Sequence, residues 1–308
     1  MKTAFLFPGQ GSQYVGMGRD LAENFKTAKE TFQEADSILG FGLSDLCFKG
    51  PEGELKLTIN AQPAILTTSI AAFKVILEKT DIRPQVVAGH SLGEYSALVA
   101  AGAISFRDAV KVVRERGRFM QEALTKGEGG MAAILGLERE KVVEVCQQAS
   151  RKGLVVPANF NAPDQVVISG KSEAVAEAMR LAKEAGARRA LPLTVTGPFH
   201  SPFMEPAGTR LKEVLESIEI HDLRIPVVAN ADAQVNHSKE RVRELLVRQV
   251  SAPVLWEDSM RCLLNMMVSR AIEVGPGKVL SALLKRLSDN VITGNVEDTA
   301  SLNRLLEG

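Results

Sequence analysis

Short runs of apolar and often β-branched residues recur along the chain, and each is followed by a turn and then by a helical pattern. The runs end in Gly, Pro or Asn, and beyond them apolar residues return at spacings of about three and four. The clearest runs are TAFLF at 3–7, VVA at 86–88, IPVVA at 225–229 and AIEV at 271–274. This alternation predicts an α/β fold with a mostly parallel sheet and flanking helices, in which strand ends are the usual ligand-binding places.

The middle of the chain has a different order of elements. Strand-like runs are separated there by two helical stretches near 138–152 and 172–185. The resulting order, β-α-β-β-α-β, is that of a ferredoxin-like unit. The four strand-like runs lie at 131–135, 154–158, 166–169 and 188–193.

Segments rich in glycine and proline flank this unit. KGEGG at 126–130 is typical of a flexible hinge, and TGP at 196–198 is typical of a return to the preceding domain. We therefore predict a small ferredoxin-like domain at 127–196, inserted into a large domain formed by 1–126 and 197–308.

Composition indicates a globular protein, since 45% of the residues are apolar, 24% are charged, and 37 Lys and Arg balance 37 Asp and Glu. This balance argues against nucleic acid or a membrane surface as a partner. The cysteines at 47, 146 and 262 show no CxxC spacing, so neither a zinc site nor a disulfide framework is expected. The apolar run near the N-terminus is too short for a signal sequence or a membrane span. We expect a cytoplasmic monomer without a metal.

GHSLG at 89–93 places Ser91 between two glycines, directly after a strand-like run and before a helical stretch at 92–101. Glycines at these positions let a strand turn sharply into a helix and leave the serine hydroxyl exposed at the edge of the sheet. The helix also directs its N-terminal amides to the same point. We interpret Ser91 as a nucleophile; the alternative is an ordinary helix cap flanked by glycines.

A serine nucleophile needs a base, and the chain offers His90, His200, His221 and His237. His90 adjoins the serine in an elbow where neighbouring side chains point apart, and His221 and His237 lie in polar stretches typical of a surface. His200 lies in TGPFHSP at 196–202, where two prolines make a rigid loop that can hold an imidazole. We favour it as the base; the alternative is a loop histidine bonded to the backbone.

No acidic third member of a catalytic triad stands out in the sequence. Asp164 and Glu184 lie between the serine and the histidine, as in other GxSxG enzymes, but their context is typical of a surface. A backbone carbonyl can orient the imidazole instead.

Arg116 lies on the apolar face of a predicted amphipathic helix at 109–124. It follows Val112 by one turn and precedes Phe119 by nearly one turn, whereas the other basic residues of this stretch lie on the opposite face. An arginine that faces the interior needs an anionic partner, and its planar guanidinium fits a carboxylate. That partner is either the carboxylate of a substrate or an internal Asp or Glu.

FPGQG at 7–11 has a second interpretation, because a glycine-rich loop after a first strand is typical of dinucleotide sites. The full GxGxxG pattern fails at Tyr14, and no strand ending in Asp or Glu follows about 20 residues later. We therefore expect no nicotinamide cofactor.

Many motifs, in the same order, resemble those of the malonyl-CoA:acyl-carrier-protein transacylases of fatty acid synthesis and the related acyltransferase domains of polyketide synthases. The resemblance extends over essentially the whole chain. It implies a hydrolase-like α/β core with an inserted ferredoxin-like domain. The motifs are FPGQGSQ at 7–13, AQP at 61–63, GHSLGEY at 89–95, RG at 116–117, NFNAP at 159–163, PFHS at 198–201, VVAN at 227–230, RQ at 248–249 and EVGPG at 273–277.

The resemblance implies catalytic roles for the matching residues. Ser91 would be the acylated nucleophile and His200 its base. The backbone carbonyl of Gln249 would orient the imidazole in place of an acid. The backbone amides of Gln10 and Leu92 would form the oxyanion hole.

The resemblance also implies the residues that bind the substrate. Arg116 would hold the malonyl carboxylate, while Gln62 and Asn161 would line the acyl or pantetheine channel. The implied reaction is transfer of a malonyl group from malonyl-CoA to the phosphopantetheine thiol of an acyl carrier protein, by a ping-pong mechanism and without a cofactor.

One departure from the family pattern lies just before the histidine. GPFH at 197–200 stands where malonyl-selective polyketide domains have HAFH, but the phenylalanine is retained, so malonyl is the expected acyl group. Two other functions stay open on the residues alone. The same serine could hydrolyse esters or thioesters, or the chain could be a non-catalytic docking module for carrier proteins.

Overall fold

The computed structural model describes residues 1–123, 129–194 and 197–307. Within these ranges the chain forms ten strands in two sheets, with helices between them. The strands are β1 Thr3–Phe7, β2 Val86–Gly89, β3 Gly129–Leu135, β4 Val155–Ala162, β5 Gln165–Lys171, β6 Arg189–Pro192, β7 Val227–Val228, β8 Val235–Asn236, β9 Arg270–Val274 and β10 Ile292–Val296.

Helices follow most of the strands, as the alternating pattern predicts. In the part of the chain that the structure describes they are α1 Arg19–Asn24, α2 Lys26–Leu39, α3 Leu43–Lys49, α4 Glu52–Lys56, α5 Thr58–Lys79, α6 Gly93–Ala100, α7 Phe106–Glu122, α8 Arg139–Ala149, α9 Ser172–Glu184, α10 Glu205–Glu216, α11 Val242–Ser251, α12 Trp256–Asn265, α13 Val279–Lys285 and α14 Thr299–Glu307. No helix among the described residues combines the length and the apolar content needed to cross a membrane.

The larger sheet has the strand order β10-β9-β1-β2-β7-β8. All neighbouring strands are parallel except β7 and β8, which pair antiparallel. This architecture confirms the predicted α/β fold with a mostly parallel sheet. Pairing of β1 with β2 places Phe7 beside Gly89, so the residues that follow the two strands emerge at the same edge of the sheet.

The central strand β1 shows why these strands appear as continuous apolar runs. Phe5 and Phe7 belong to the apolar cluster on one side of the sheet, whereas Ala4 and Leu6 belong to the cluster on the other side. Side chains alternate between the faces of a strand, and here both faces are covered, so every position is apolar or buried.

Helices α5 and α7 pack against each other on one side of this sheet. Ser105 caps α7, its hydroxyl oxygen accepting a hydrogen bond of 3.0 Å from the amide of Asp108. Gly117 lies at the contact with α5, where a Cβ would come within 2.7 Å of the carbonyl oxygen of Thr58. Because the helices approach this closely, the preceding residue, Arg116, is directed into the interior.

The second sheet is antiparallel and has the order β4-β5-β3-β6. With α8 and α9 it contains its own apolar cluster and follows the predicted β-α-β-β-α-β order. The predicted hinge at 126–130 and the return at 196–198 lie partly outside the described residues, and Gly129 and Gly130 belong to β3 rather than to a hinge. The domain limits at 127–196 therefore stay a prediction.

The edge strand β4 joins the second sheet to the rest of the molecule. Val254, between α11 and α12, donates its amide to the carbonyl oxygen of Ala158 at 2.9 Å and accepts from the amide of Phe160 at 2.9 Å. An ion pair of 2.7 Å between Arg139 and Asp258 also joins α8, which packs on the second sheet, to α12. The small sheet is thus attached close to the C-terminal end of α11.

Candidate active site

Ser91 lies between β2 and α6, in the strand-turn-helix context that its glycine-flanked motif predicts. Its φ of 51° is in the left-handed region, which non-glycine residues rarely occupy. The turn is closely packed, since a Cβ on Gly93 would lie 2.0 Å from the carbonyl oxygen of Phe7, and one on Gly89 would lie 1.9 Å from that of Gly93. The sharp turn leaves Ser91 half-buried at the C-terminal edge of the larger sheet.

His200 is the histidine that meets this serine. Its Nε2 lies 2.7 Å from the Oγ of Ser91, and its Nδ1 lies 2.9 Å from the carbonyl oxygen of Gln249. Burial, together with the nearby cation of Arg116, lowers the pKa of His200 to about 3. The imidazole is therefore neutral near pH 7, with Nδ1–H donating to the carbonyl and Nε2 free to accept the serine proton.

Gln249 presents a free carbonyl because of the way its helix ends. It lies in the last turn of α11, where its carbonyl oxygen would accept a hydrogen bond from the amide four residues later. That position is Pro253, which has no N–H, so the carbonyl is available to the histidine. Carbonyls at a helix C-terminus also carry partial negative charge, which suits an N–H donor.

The two acidic residues weighed from the sequence lie elsewhere. Asp164 forms ion pairs with Arg188 and Arg286, and Glu184 pairs with Arg180 on its own helix. Neither contacts His200. The partner of Nδ1 of His200 is instead the main-chain carbonyl of Gln249, at 2.9 Å.

Arg116 is only 1% exposed, yet it lies in the site. Its Nη2 donates to the Oγ of Ser91 at 3.1 Å and to Oε1 of Gln249 at 3.0 Å, while Nη1 donates to Oε1 of Gln62 at 2.9 Å. No carboxylate of the described residues forms an ion pair with it, so an internal salt bridge, the alternative weighed from the sequence, is wrong. Its Nε has no hydrogen-bond partner among these residues, which leaves this one donor for a bound anion.

Gln62 and Asn161 occupy different places around the serine. Gln62 is fully buried on α5 and bonds Arg116, and its amide nitrogen lies 3.5 Å from the sulfur of Met120. Asn161 is on β4 of the smaller sheet, where its Oδ1 lies 2.8 Å from Nε2 of His90. His90 therefore contacts the second sheet and not the serine, which agrees with its exclusion as the base.

The predicted oxyanion donors lie on the two loops that leave β1 and β2. The amide of His90 donates to the carbonyl oxygen of Phe7 at 3.0 Å, which holds these loops together. The side chain of Gln10 is fixed by a 3.2 Å hydrogen bond to the hydroxyl of Thr58. Within the described ranges, the main-chain amides of Gln10 and Leu92 donate to no protein acceptor.

Two buried residues of the site were not identified from the sequence. Asn230 accepts a 2.7 Å hydrogen bond from the amide of Ser91 and donates to the carbonyl oxygen of Gly89 at 2.8 Å. Glu94 is 2% exposed, and its Oε2 accepts from the amide of Asn230 at 3.1 Å and from the side chain of Gln249 at 2.6 Å. A single charged residue in the otherwise uncharged and mostly buried helix α6 is a signal that could have indicated Glu94.

The hydroxyl oxygen of Ser91 lies within hydrogen-bond distance of both a neutral imidazole, that of His200, and a buried cation, that of Arg116. No cluster of His, Cys, Asp and Glu able to hold a metal ion occurs in the residues that the structure describes. The site thus contains the groups needed for acyl transfer to serine, with a cation next to the reacting atom.

Comparison with known proteins gives consistent matches over the whole chain. The family model described as acyl transferase domain matches residues 4–305. Malonyl CoA-acyl carrier protein transacylase of Bacillus subtilis (strain 168) is 50% identical over 307 residues, covering 99% of this chain and 96% of the relative. The protein of the same name from Escherichia coli (strain K12) is 45% identical over 304 residues, covering 99% and 98%.

Solved structures agree with these matches. An acyl-carrier-protein S-malonyltransferase from Burkholderia pseudomallei 1710b superposes with a TM-score of 0.97 at 46% identity, and the match covers 100% of both chains. A malonyl-transacylase solved in complex with a type II PKS acyl-carrier protein also has a TM-score of 0.97, at 45% identity, with 100% of this chain and 99% of the other covered.

Proposed function

The chain belongs to the acyl transferase family, and from this premise we propose that it transfers the malonyl group of malonyl-CoA to the phosphopantetheine thiol of an acyl carrier protein. The enzyme works in fatty acid synthesis, as a cytoplasmic monomer and without a cofactor. The observation that carries this proposal is the buried Arg116, which lies 3.1 Å from Oγ of Ser91 and forms no ion pair with a carboxylate of residues 1–123, 129–194 and 197–307.

In the first half-reaction Ser91 attacks the thioester carbonyl of malonyl-CoA. His200 accepts the hydroxyl proton at Nε2 as the Oγ–C bond forms, and the amides of Gln10 and Leu92 bind the oxyanion. The carbon–sulfur bond then breaks, and the imidazolium returns its proton to the departing thiolate, so that free CoA leaves and Ser91 carries the malonyl ester.

The second half-reaction reverses these roles. The thiol of the carrier's phosphopantetheine gives its proton to His200 and attacks the ester carbonyl. When the tetrahedral intermediate collapses, the carbon–oxygen bond breaks and Ser91 recovers the proton, which completes a ping-pong cycle. The carbonyl of Gln249 keeps Nδ1–H of His200 in the required tautomer in both half-reactions.

Arg116 selects the acyl group. Its guanidinium faces the serine, and a malonyl carboxylate replaces the serine oxygen as its acceptor once the ester has formed. Gln62 fixes the plane of the guanidinium by accepting a hydrogen bond from its Nη1. Asn161, on β4, borders the site through its contact with His90. This buried cation argues against a simple esterase, because the acyl pockets of such enzymes are mainly apolar.

The direct test is the mass of the intact protein after mixing with malonyl-CoA. The wild-type chain should gain one malonyl group and lose it when carrier protein is added, whereas Ser91→Ala, which removes one oxygen from a half-buried turn, should fold and gain nothing. Acetyl-CoA and methylmalonyl-CoA serve as comparison donors.

Two outcomes would contradict the proposal. Malonylation of folded Ser91→Ala would exclude Ser91 as the nucleophile. Release of free malonate at the same rate with and without carrier protein would indicate a thioesterase.

A further inference from the structure

Glu94 is a buried carboxylate that the two half-reactions do not use. It lies on α6, about one turn beyond Ser91, and is 2% exposed. One of its oxygens, Oε2, accepts hydrogen bonds from the side-chain amide of Gln249 at 2.6 Å and from the main-chain amide of Asn230 at 3.1 Å. A carboxylate is costly to bury, so its position next to the site requires a reason.

The amide group of Gln249 lies between two opposite charges. Its Oε1 accepts from Arg116 at 3.0 Å, and its Nε2 donates to Glu94 at 2.6 Å and to the carbonyl oxygen of Ser91 at 3.0 Å. If the amide were flipped, its oxygen would face the carboxylate and its NH2 would face the guanidinium, and both contacts would be repulsive. The carboxylate therefore determines the orientation of this amide.

The same glutamine holds both halves of the site. Its side-chain oxygen positions Arg116, and its main-chain oxygen, 2.9 Å from Nδ1, positions His200. A rotation of the Gln249 side chain that followed the loss of Glu94 would release Arg116 and strain the turn of α11 that presents the carbonyl.

Few other charges face Glu94. Arg116 approaches from α7, Asp232 from the loop after β7, and Tyr95 is its neighbour on α6. Asp232 is itself paired with Arg241 at 2.6 Å. His200, from the loop before α10, is neutral at the pH of interest because its pKa is lowered. Glu94 therefore acts on Arg116 through the side-chain amide of Gln249 and not as a direct ion-pair partner.

We propose that Glu94 is a positioning residue whose ionised carboxylate, acting through the side chain of Gln249, holds Arg116 and His200 in their working geometry. For Arg116 this inference rests on the proposed malonyl transfer; for His200 and Ser91 it holds for any acylation of the serine.

Ionisation of Glu94 makes the rate of serine acylation depend on pH. Burial raises the pKa of Glu94 to about 7, against the opposing effects of its hydrogen bonds and of Arg116. Below that pH the carboxyl group is protonated and no longer orders the amide, so the rate of serine acylation falls. His200 cannot produce this fall, because burial lowers its pKa to about 3 and it stays neutral across the same range.

The test is the rate at which a fluorophosphonate labels Ser91, measured from about pH 5.5 to about pH 9. Wild type should lose reactivity as the pH falls through neutrality. Glu94→Gln, which can still accept both hydrogen bonds but carries no charge, should lose this pH dependence and react about 10- to 100-fold more slowly at the alkaline end. Glu94→Asp keeps the charge and should retain the dependence with a shifted midpoint.

Glu273→Gln is the matched control. Glu273 is also fully buried, and burial also raises its pKa, but its oxygens accept from the amides of Leu280 at 3.1 Å and Ser281 at 2.8 Å at the start of α13, away from the serine. This variant should melt at a lower temperature and keep the wild-type pH profile, since a purely structural role affects only stability.

Three results would overturn the positioning role. The first is a wild-type labelling rate that does not fall near neutral pH. The second is folded Glu94→Gln whose labelling rate has the same pH profile as wild type. If that variant does not fold, the third is Glu94→Asp whose pH profile has the same midpoint as wild type. Malonyl transfer is measured separately on the same proteins. If labelling depends on Glu94 but the wild-type protein transfers no malonyl group, only the proposed function is contradicted. If the protein transfers malonyl but labelling does not depend on Glu94, only the positioning role is contradicted.

Discussion

At the scale of single residues, the site depends on two residues whose backbone has an uncommon conformation. Ser91 has a φ of 51° and His200 a φ of 56°, both in the left-handed region, which costs each residue about 1–3 kcal/mol. The hydrogen bonds of Ser91 to Asn230 and of His200 to Gln249 offset this strain. Both catalytic groups are thus in place before a substrate binds.

Arg116→Ala tests the selection of the acyl group. The variant should lose about 1.5–3 kcal/mol of malonyl binding in the transition state, because it lacks a charge-assisted contact to the carboxylate. Acylation by acetyl-CoA should be unchanged or faster, since no unpaired cation is then buried beside a neutral acyl group. The measurement is the ratio of acylation rates with malonyl-CoA and acetyl-CoA.

Arg116→Lys is the control for charge alone. Lysine keeps the cation but offers no planar pair of donors, so it should restore only part of the malonyl preference. A folded Arg116→Ala protein whose ratio equals that of wild type would disprove the carboxylate-binding role.

At the scale of elements, the approach of α7 to α5 places the arginine. Gly117 is the contact point, since a Cβ there would meet the carbonyl oxygen of Thr58 at 2.7 Å and the Cα of Ile59 at 2.9 Å. Both are main-chain atoms, which cannot move aside as the end of a side chain can. The RG pair at 116–117 therefore has a structural explanation: the glycine lets α7 come close to α5, and this places the arginine beside Ser91.

Gly117→Ala should separate the two helices and reduce the free energy of unfolding by about 1–3 kcal/mol, the usual cost of overpacking. The shift should also weaken malonyl transfer more than acetyl transfer, because Arg116 moves with α7. Chemical denaturation and the same pair of acylation rates measure both effects.

Gly208→Ala on α10 is the matched control for that substitution. The nearest atom to a Cβ there is the carbonyl oxygen of Val247 at 3.4 Å, an ordinary contact, and alanine favours the helix by about 0.5–1 kcal/mol over glycine. It should be neutral or stabilising and should leave the rate ratio unchanged. Equal destabilisation by the two alanines would contradict the role given to Gly117.

At the scale of the whole molecule, the two sheets meet close to the catalytic machinery. Val254 pairs with β4 only a few residues after Gln249, and Trp256 is fully buried beside this junction with its ring 5.4 Å from that of His90. Because the sequence contains 1 tryptophan, its fluorescence reports on this junction alone.

Arg139→Ala should loosen the junction. The guanidinium pairs with Asp258 at 2.7 Å and lies 3.9 Å from the centre of the Phe160 ring, so its loss should lower the free energy of unfolding by about 1–2 kcal/mol. Urea denaturation followed by Trp256 emission measures this change.

Arg180→Ala provides the comparison, because Arg180 is an exposed residue of α9 whose ion pairs within the described part of the chain are with Glu177 and Glu184 on its own helix. Its effect on the same transition should be clearly smaller. If both variants unfold at the same urea concentration as wild type, Arg139 does not hold the sheets together.

Local features of the chain could be predicted because they depend on residues that are close together in the sequence. The period of apolar positions reports which faces are buried, so the α/β fold, the β-α-β-β-α-β order and the inward Arg116 follow from the sequence. Glycines around Ser91 and prolines around His200 likewise impose their local backbone geometry on any fold. These signals predicted a nucleophile, a base and a cation, and the structure brings the three side chains together.

Only the tertiary structure decided how these groups are connected. A main-chain carbonyl is common to every residue, so nothing in its side chain marks Gln249 as the partner of His200. The link from Glu94 through Gln249 to Arg116 joins the consecutive helices α6 and α7 to α11, which is more than 100 residues away in sequence. Whether a buried arginine meets a carboxylate, an amide or a substrate depends on which chain segments pack around it, and that packing is a property of the whole fold.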